Sequence, residues 1–171
     1  MGISTDMFIK TYKINAKAKD KTFEDFINKH IVRSYIGFME KSVYCDTIVE
    51  STCYVKDSGR KIIRMDSPLR SIFFMMRLID LYTDIDIDKS NVISEYDKLN
   101  EVGAVKTLIE AIPESEYAEF STILNMKLDD IINNEYSVTA ILYNLKEALN
   151  LSEDVADSVI EEIKDKIDIN K

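Results

Sequence analysis

The 171-residue chain is 46% apolar and 31% charged with a net charge of −9, the balance of a folded domain with a core rather than of a disordered chain. Four glycines and two prolines are too few for a β-sandwich or barrel, which needs turn residues every ten positions or so, and the scarcity predicts helices joined by short connections. Residues 1–77 hold 14 basic and 9 acidic side chains (+5) and residues 78–171 hold 8 and 22 (−14), so the acidic half excludes general nucleic-acid binding, which needs a contiguous basic surface.

The first 21 residues predict an N-terminal basic arm or short helix, with Met7, Phe8, Tyr12 and Ile14 as apolar points and a lysine-rich end. A single helical domain is expected over 22–171. Thr22 and Asp25 stand as in a capping box, and a helix follows to about Ile31, buried through Phe23, Phe26 and Ile27. A second runs from near Met39 to about Tyr54 with Cys45, Ile48, Val49 and Thr52 on one side. The two cysteines are eight residues apart on it, about 12 Å by helical rise, too far for a disulfide, and read as reduced core residues. Asp57-Ser58-Gly59 is the clearest turn, and Val55 can pair with Ile62 or Ile63 across it as the one short hairpin.

The stretch 67–88, SPLRSIFFMMRLIDLYTDIDID, organises the rest. Ser67 and Pro68 predict an N-cap and first helical residue. Leu69, Ile72, Phe73, Met76 and Ile79 make one apolar face on a 3.6-residue period, widened by Phe74, Met75, Leu78, Leu81 and Tyr82, and a helix this apolar belongs in the middle of a domain. Its interruptions at Arg70, Arg77 and Asp80 leave it far short of a membrane span. Neither a signal peptide nor N-myristoylation is expected, since Asp6 stands where the lipidation motif has Ser or Thr.

Short helices follow over 91–102 and 104–112, divided by Gly103. Pro113 opens a longer one with Glu114 and Glu116 in its first turn and Tyr117, Phe120, Leu124, Leu128 and Ile131 on its buried side, stopping at Asn133-Asn134. Helices over about 137–150, burying Ile141 and Leu145, and 152–167 complete the chain. The core set is therefore Leu69, Ile72, Phe73, Met76, Ile79, Phe120, Leu124, Leu128, Ile141 and Leu145, in an all-α bundle of about seven helices.

Asp84, Asp86, Asp88 and Glu95 fall on positions 1, 3, 5 and 12 of a calcium loop between two helices. Lys89 stands where that loop requires glycine, however, and Asn91 where it is apolar, so alternation that lays Ile85 and Ile87 on the core and leaves the aspartates wet is the preferred reading. His30 is the single histidine, at a helix end where an imidazole commonly serves the terminal carbonyls. Nothing pairs it with a cysteine or serine in a catalytic or zinc-binding order, and the scattered glycines build no phosphate loop. No enzymatic activity, metal or cofactor is expected.

The stretches 67–85 (SPLRSIFFMMRLIDLYTDI), 112–137 (IPESEYAEFSTILNMKLDDIINNEYS) and 44–54 (YCDTIVESTCY) resemble small helical proteins encoded among the virion-morphogenesis genes of tailed phages and prophages of low-GC Gram-positive bacteria. The resemblance spans about residues 23–145 and carries no catalytic residues. It implies a non-enzymatic structural or assembly protein of a phage head, neck or tail, acting through particle proteins or copies of itself, in the host cytoplasm during assembly and then in the virion. The alternative is a small acidic inhibitor of a host defence or nucleic-acid enzyme.

Overall fold

The computed structural model describes residues 2–17, 21–57, 60–63 and 65–135. Along them run β1 (Ile3–Ser4), α1 (Thr5–Asn15), α2 (Lys21–His30), α3 (Phe38–Cys53), β2 (Tyr54–Asp57), β3 (Arg60–Ile63), α4 (Ser67–Tyr82), β4 (Ile85–Asp86), α5 (Val92–Glu101), α6 (Ala104–Ala111) and α7 (Glu114–Glu135). The fold is all-α, with seven helices among the described residues and a minor β component. The expected helices over 137–150 and 152–167, with Ile141 and Leu145, lie outside the described residues. Two compact units divide the chain, Met1–Asn125 and Met126–Lys171, where the sequence predicts one domain over 22–171. The first carries all the contacts discussed below.

Helix α4 is the centre of that unit. Asp66 rather than Ser67 caps it, accepting the Leu69 N–H at 2.9 Å, while Ser67 Oγ accepts from Arg70. Asp66 is also tied by its own N–H to Thr52 O at the end of α3, so the cap sits where the hairpin returns the chain. At the other end Thr83 turns extended, with its hydroxyl and N–H both donating to Ile79 O, and the helix stops. The buried side chains of α4 are Phe74, Met76, Leu78, Ile79, Leu81 and Tyr82. Leu69, Ile72 and Phe73 are half-buried, Ile72 packing at the edge of the core cluster and Phe73 lining a surface recess.

One side of α4, through Met76 and Ile79, joins a cluster with Phe8, Tyr12, Ile27, Ile85, Leu99, Val105 and Leu108 from α1, α2, β4, α5 and α6. Phe8 and Tyr12, one helical turn apart, bury the N-terminal segment here. Tyr12 Oη bonds Thr107 Oγ1 at 3.0 Å, and Met7 and Ile14 stay exposed. The segment expected as a basic arm or short helix is thus a helix, α1, within the first unit. On the other side α3 and α7 close over Phe74 and Tyr82. Cys45, Ile48 and Cys53 are fully buried there with Phe120, Ile123 and Leu124, and Phe74 meets the rings of Tyr117 and Phe120 edge-on at 5.5 and 6.2 Å. Leu128 is half-buried. Tyr117, placed by periodicity on the buried face, is 39% exposed, because Glu116 takes the inward position. Helix α7 also runs through Asn133-Asn134 to Glu135, past the stop that the asparagines predict.

The hairpin forms as expected, Val55 opposite Ile62. A second pairing was not foreshadowed: β1 lies parallel to β4, Ile3 opposite Ile85 and Ser4 opposite Asp86, and Ile31 bridges Thr83. Parallel pairs leave no turn signature in sequence because their strands are not adjacent in the chain. Gly2 allows the approach, since a Cβ there would stand 2.9 Å from Asp84 O. Gly103, at φ +75°, makes the left-handed turn between α5 and α6.

Candidate functional site

The segment 31–37 between α2 and α3 is stitched to the domain by its backbone. Val32 N–H donates to Tyr82 O at 2.9 Å, Ile31 bridges Thr83, and Ile36 N–H donates to Glu116 Oε2 at 2.9 Å. Ile36 itself is buried. With the backbone held inward, Val32 and Tyr35 face outward, and Phe38, Met39 and Val43 continue the exposed apolar surface onto the first turns of α3. Each of the five is more than half exposed, Tyr35 at 68% and Met39 at 73%. Arg33 and Glu40, an ion pair at 3.1 Å, brace the segment against the helix at the edge of this patch.

Beneath it lies a buried charge cluster. Lys41, 0% exposed, points inward from α3 and its Nζ meets Glu116 Oε2 at 2.9 Å and Glu119 Oε2 in a short contact. Tyr82 Oη donates to the same Glu116 oxygen at 2.6 Å. Glu116 therefore takes a lysine, a phenol and a backbone N–H from α3, α4 and the 31–37 segment. Burial works against its charge, but these hydrogen bonds outweigh it and hold the carboxyl below its ordinary pKa. Burial would likewise lower Lys41, yet the two carboxylates keep it above the usual lysine value. Burial, reinforced by Glu116, pushes the Tyr82 phenol far up, so it acts as a neutral donor. The Lys41 ammonium also lies 5.3 Å from the Tyr35 ring centroid, which links the buried charge to one of the exposed aromatics above it.

The acids of the predicted calcium spacing are dispersed. Asp84 bonds His30 Nδ1 at 2.8 Å. Asp86 is exposed on β4. Asp88 accepts from Ser90 and Asn91, bonds that bring its pKa down to about 2. Glu95 is buried and paired with Lys98 at 2.9 Å. Ile85 and Ile87 are buried between them. Among the described residues no group of three or more His, Cys, Asp or Glu side chains is placed to hold a metal ion. His30 serves Asp84 rather than the terminal carbonyls, with the rings of Phe8 and Phe26 edge-on at 5.1 and 4.9 Å. Cys45 and Cys53 are unbridged and buried. No helix among the described residues is long and apolar enough to cross a membrane.

The sequence reading missed Lys41, Tyr82, Glu116 and Glu119 as a group. A signal existed: Lys41 is one turn before Cys45, Ile48 and Thr52 on the buried stripe of α3, and Glu116 one turn before Phe120 and Leu124 on that of α7. Opposite charges continuing two apolar stripes are the mark of a buried pair. Comparison of the chain with protein-family models, with curated proteins and with solved structures finds no match.

Proposed function

We propose that this protein is a non-enzymatic structural or assembly component of a tailed-phage particle, in the head, neck or tail, working by contact with particle proteins or copies of itself. The observation that carries the contact reading is the exposed apolar set Val32, Tyr35, Phe38, Met39 and Val43. Aromatic residues and methionine are enriched at protein interfaces, and clustered exposure of this kind costs a solitary domain solubility. The backbone beneath is already fixed by Tyr82 and Glu116, so a partner meets an ordered surface and the entropy lost on binding is small. The phage assignment rests on the sequence resemblance, and it places the protein in the host cytoplasm during assembly and then in the particle.

Sedimentation velocity over a concentration series, alone and with the capsid, neck and tail proteins of its own genome, tests the reading. The expected result is a symmetric multimer or entry into one, lost in Met39→Asp while the melting temperature holds. A strictly monomeric protein, missing from purified particles and inhibiting a host nucleic-acid enzyme at one-to-one stoichiometry, would replace this reading with that of an acidic inhibitor.

A further inference from the structure

A recess of about 190 Å³ opens between α4 and the segment joining β4 to α5, away from the apolar patch. Phe73, Met76, Arg77 and Asp80 line it along one stripe of α4, with Ile87, Lys89 and Val92 from the connecting segment and α5, and Ser51 from α3. It continues into a wider depression that shares Phe73, Lys89 and Val92 and is also lined by Asp97. Apolar side chains with a few convergent polar groups are the composition of small-ligand sites, and this volume, below the roughly 300–1,000 Å³ of drug-sized pockets, suits a small molecule.

The charges say which kind. Asp80 Oδ2 is shared by Arg77 Nη1 at 3.0 Å and Lys89 Nζ at 3.6 Å, so one carboxylate answers two cations and one positive charge is in surplus within the recess. Asp80 and Arg77 are mostly enclosed, with side chains 17% and 23% exposed, whereas Lys89 is 70% exposed. The guanidinium carbon of Arg77 stands 5.0 Å from the Tyr44 ring centroid, a cation–π contact that helps to hold the group. A guanidinium binds a carboxylate best through its forked N–H donors, and Arg77 brings such a group to the recess. Lys89, on a flexible stem, can close from the other side. A polyanion is disfavoured by Asp80 within the recess and Asp97 beyond it.

We propose that this recess binds a small monocarboxylate with a short branched or aromatic apolar stem, its carboxylate between Arg77 and Lys89 and its stem against Phe73. The inference is independent of the contact reading above. Two-dimensional amide NMR of the full chain, titrated with 4-methylpentanoate, with 4-methylpentanamide and with 3-methylbutylamine, tests it. Saturable shifts with the carboxylate, centred on Ser51, Ile87 and Lys89, are expected, together with weak or absent shifts from the amide and the amine. Lys89→Ala, an exposed substitution whose melting temperature should match wild type, is expected to weaken binding about tenfold or more, as loss of a charge-assisted hydrogen bond does. Arg77→Lys, keeping charge but losing the fork, should weaken it as well. Equal binding of the amide, preference for the amine, unchanged affinity in Lys89→Ala, or no saturable shift with the carboxylate would each overturn the proposal.

Discussion

Lys41 and Lys89 both meet acids, Lys41 those of α7 and Lys89 one of α4, and they live in opposite worlds. Lys41 is 0% exposed between Glu116 and Glu119, with Tyr82 and Ile36 N–H completing the hydrogen bonds of Glu116. Lys89 is 70% exposed and stands 3.6 Å from an Asp80 that Arg77 already holds. The first pair is fully committed: its charges are satisfied by protein alone, and its work is to fix the 31–37 segment to α4 and α7. In the second, Lys89 is a solvent-exposed cation on a long unbranched stem, worth little to stability and able to turn to a ligand. Burial, not charge type, separates the structural pair from the adaptable one.

The largest effect should come from breaking the committed pair. Lys41→Ala leaves Glu116 buried without its cation and is expected to cost about 3–5 kcal/mol, as removal of one partner of a buried ion pair does. Chemical denaturation followed by circular dichroism reads this directly. Replacing both partners, Lys41→Met with Glu116→Leu, should recover most of the loss; a double variant as unstable as the single would mean that the cluster's worth lies in the geometry it imposes on Ile36 and Tyr82.

Next is the core. Met76→Ala should cost about 2–5 kcal/mol as a fully buried large-to-small change. Phe73→Ala, at a half-buried position on the wall of the recess, should cost clearly less. Equal losses would place Phe73 in the core that the periodicity predicts for it.

The pH dependence sharpens the contrast further. The Glu116 carboxyl is held below its ordinary value, so its contribution is present above the unfolded carboxylate pKa of about 4.3 and fades as pH falls through the lower folded value. Lys41 is raised, so its contribution is present below about 10.4 and fades as pH rises through the higher folded value. Denaturant midpoints measured across pH should therefore show Glu116→Gln flattening the acid limb and Lys41→Met the alkaline limb. The smallest effect belongs to Lys89→Ala, expected within about 0.5 kcal/mol of wild type; a loss as large as that of Lys41→Ala would erase the distinction between the two pairs.

Much of the helical layout was legible because apolar spacing carries it. Met76 and Ile79 on α4, Phe120 and Leu124 on α7, and Ile85 and Ile87 between the wet aspartates are all buried as their spacing implies. What escaped depends on pairing across the chain. Ile3 meets Ile85 and Ile31 meets Thr83 through contacts that no local pattern encodes, while Lys41 and Glu116 each continue a buried stripe whose spacing marks the position as inward but does not name the partner. The cap of α4 moved from Ser67 to Asp66 because either side chain suits the position and the bond from Asp66 N–H to Thr52 O decides between them. The exposed patch was illegible for a related reason: Phe38, Met39 and Val43 read as ordinary helix residues until the orientation of α3, set by Lys41 and Cys45 pointing inward, turns them to solvent.

The central claim is that the surface over 32–43 is where this protein meets its partner. Site-specific photocrosslinking tests it most directly, with a photoreactive phenylalanine placed at Met39 and, as a control, at Lys106, whose side chain is 81% exposed on α6. Expressed with the particle proteins of its genome, the Met39 probe should yield a discrete adduct with a second copy or one particle protein, and the Lys106 probe none. Adducts from Lys106 but not from Met39, or from neither, would contradict the account.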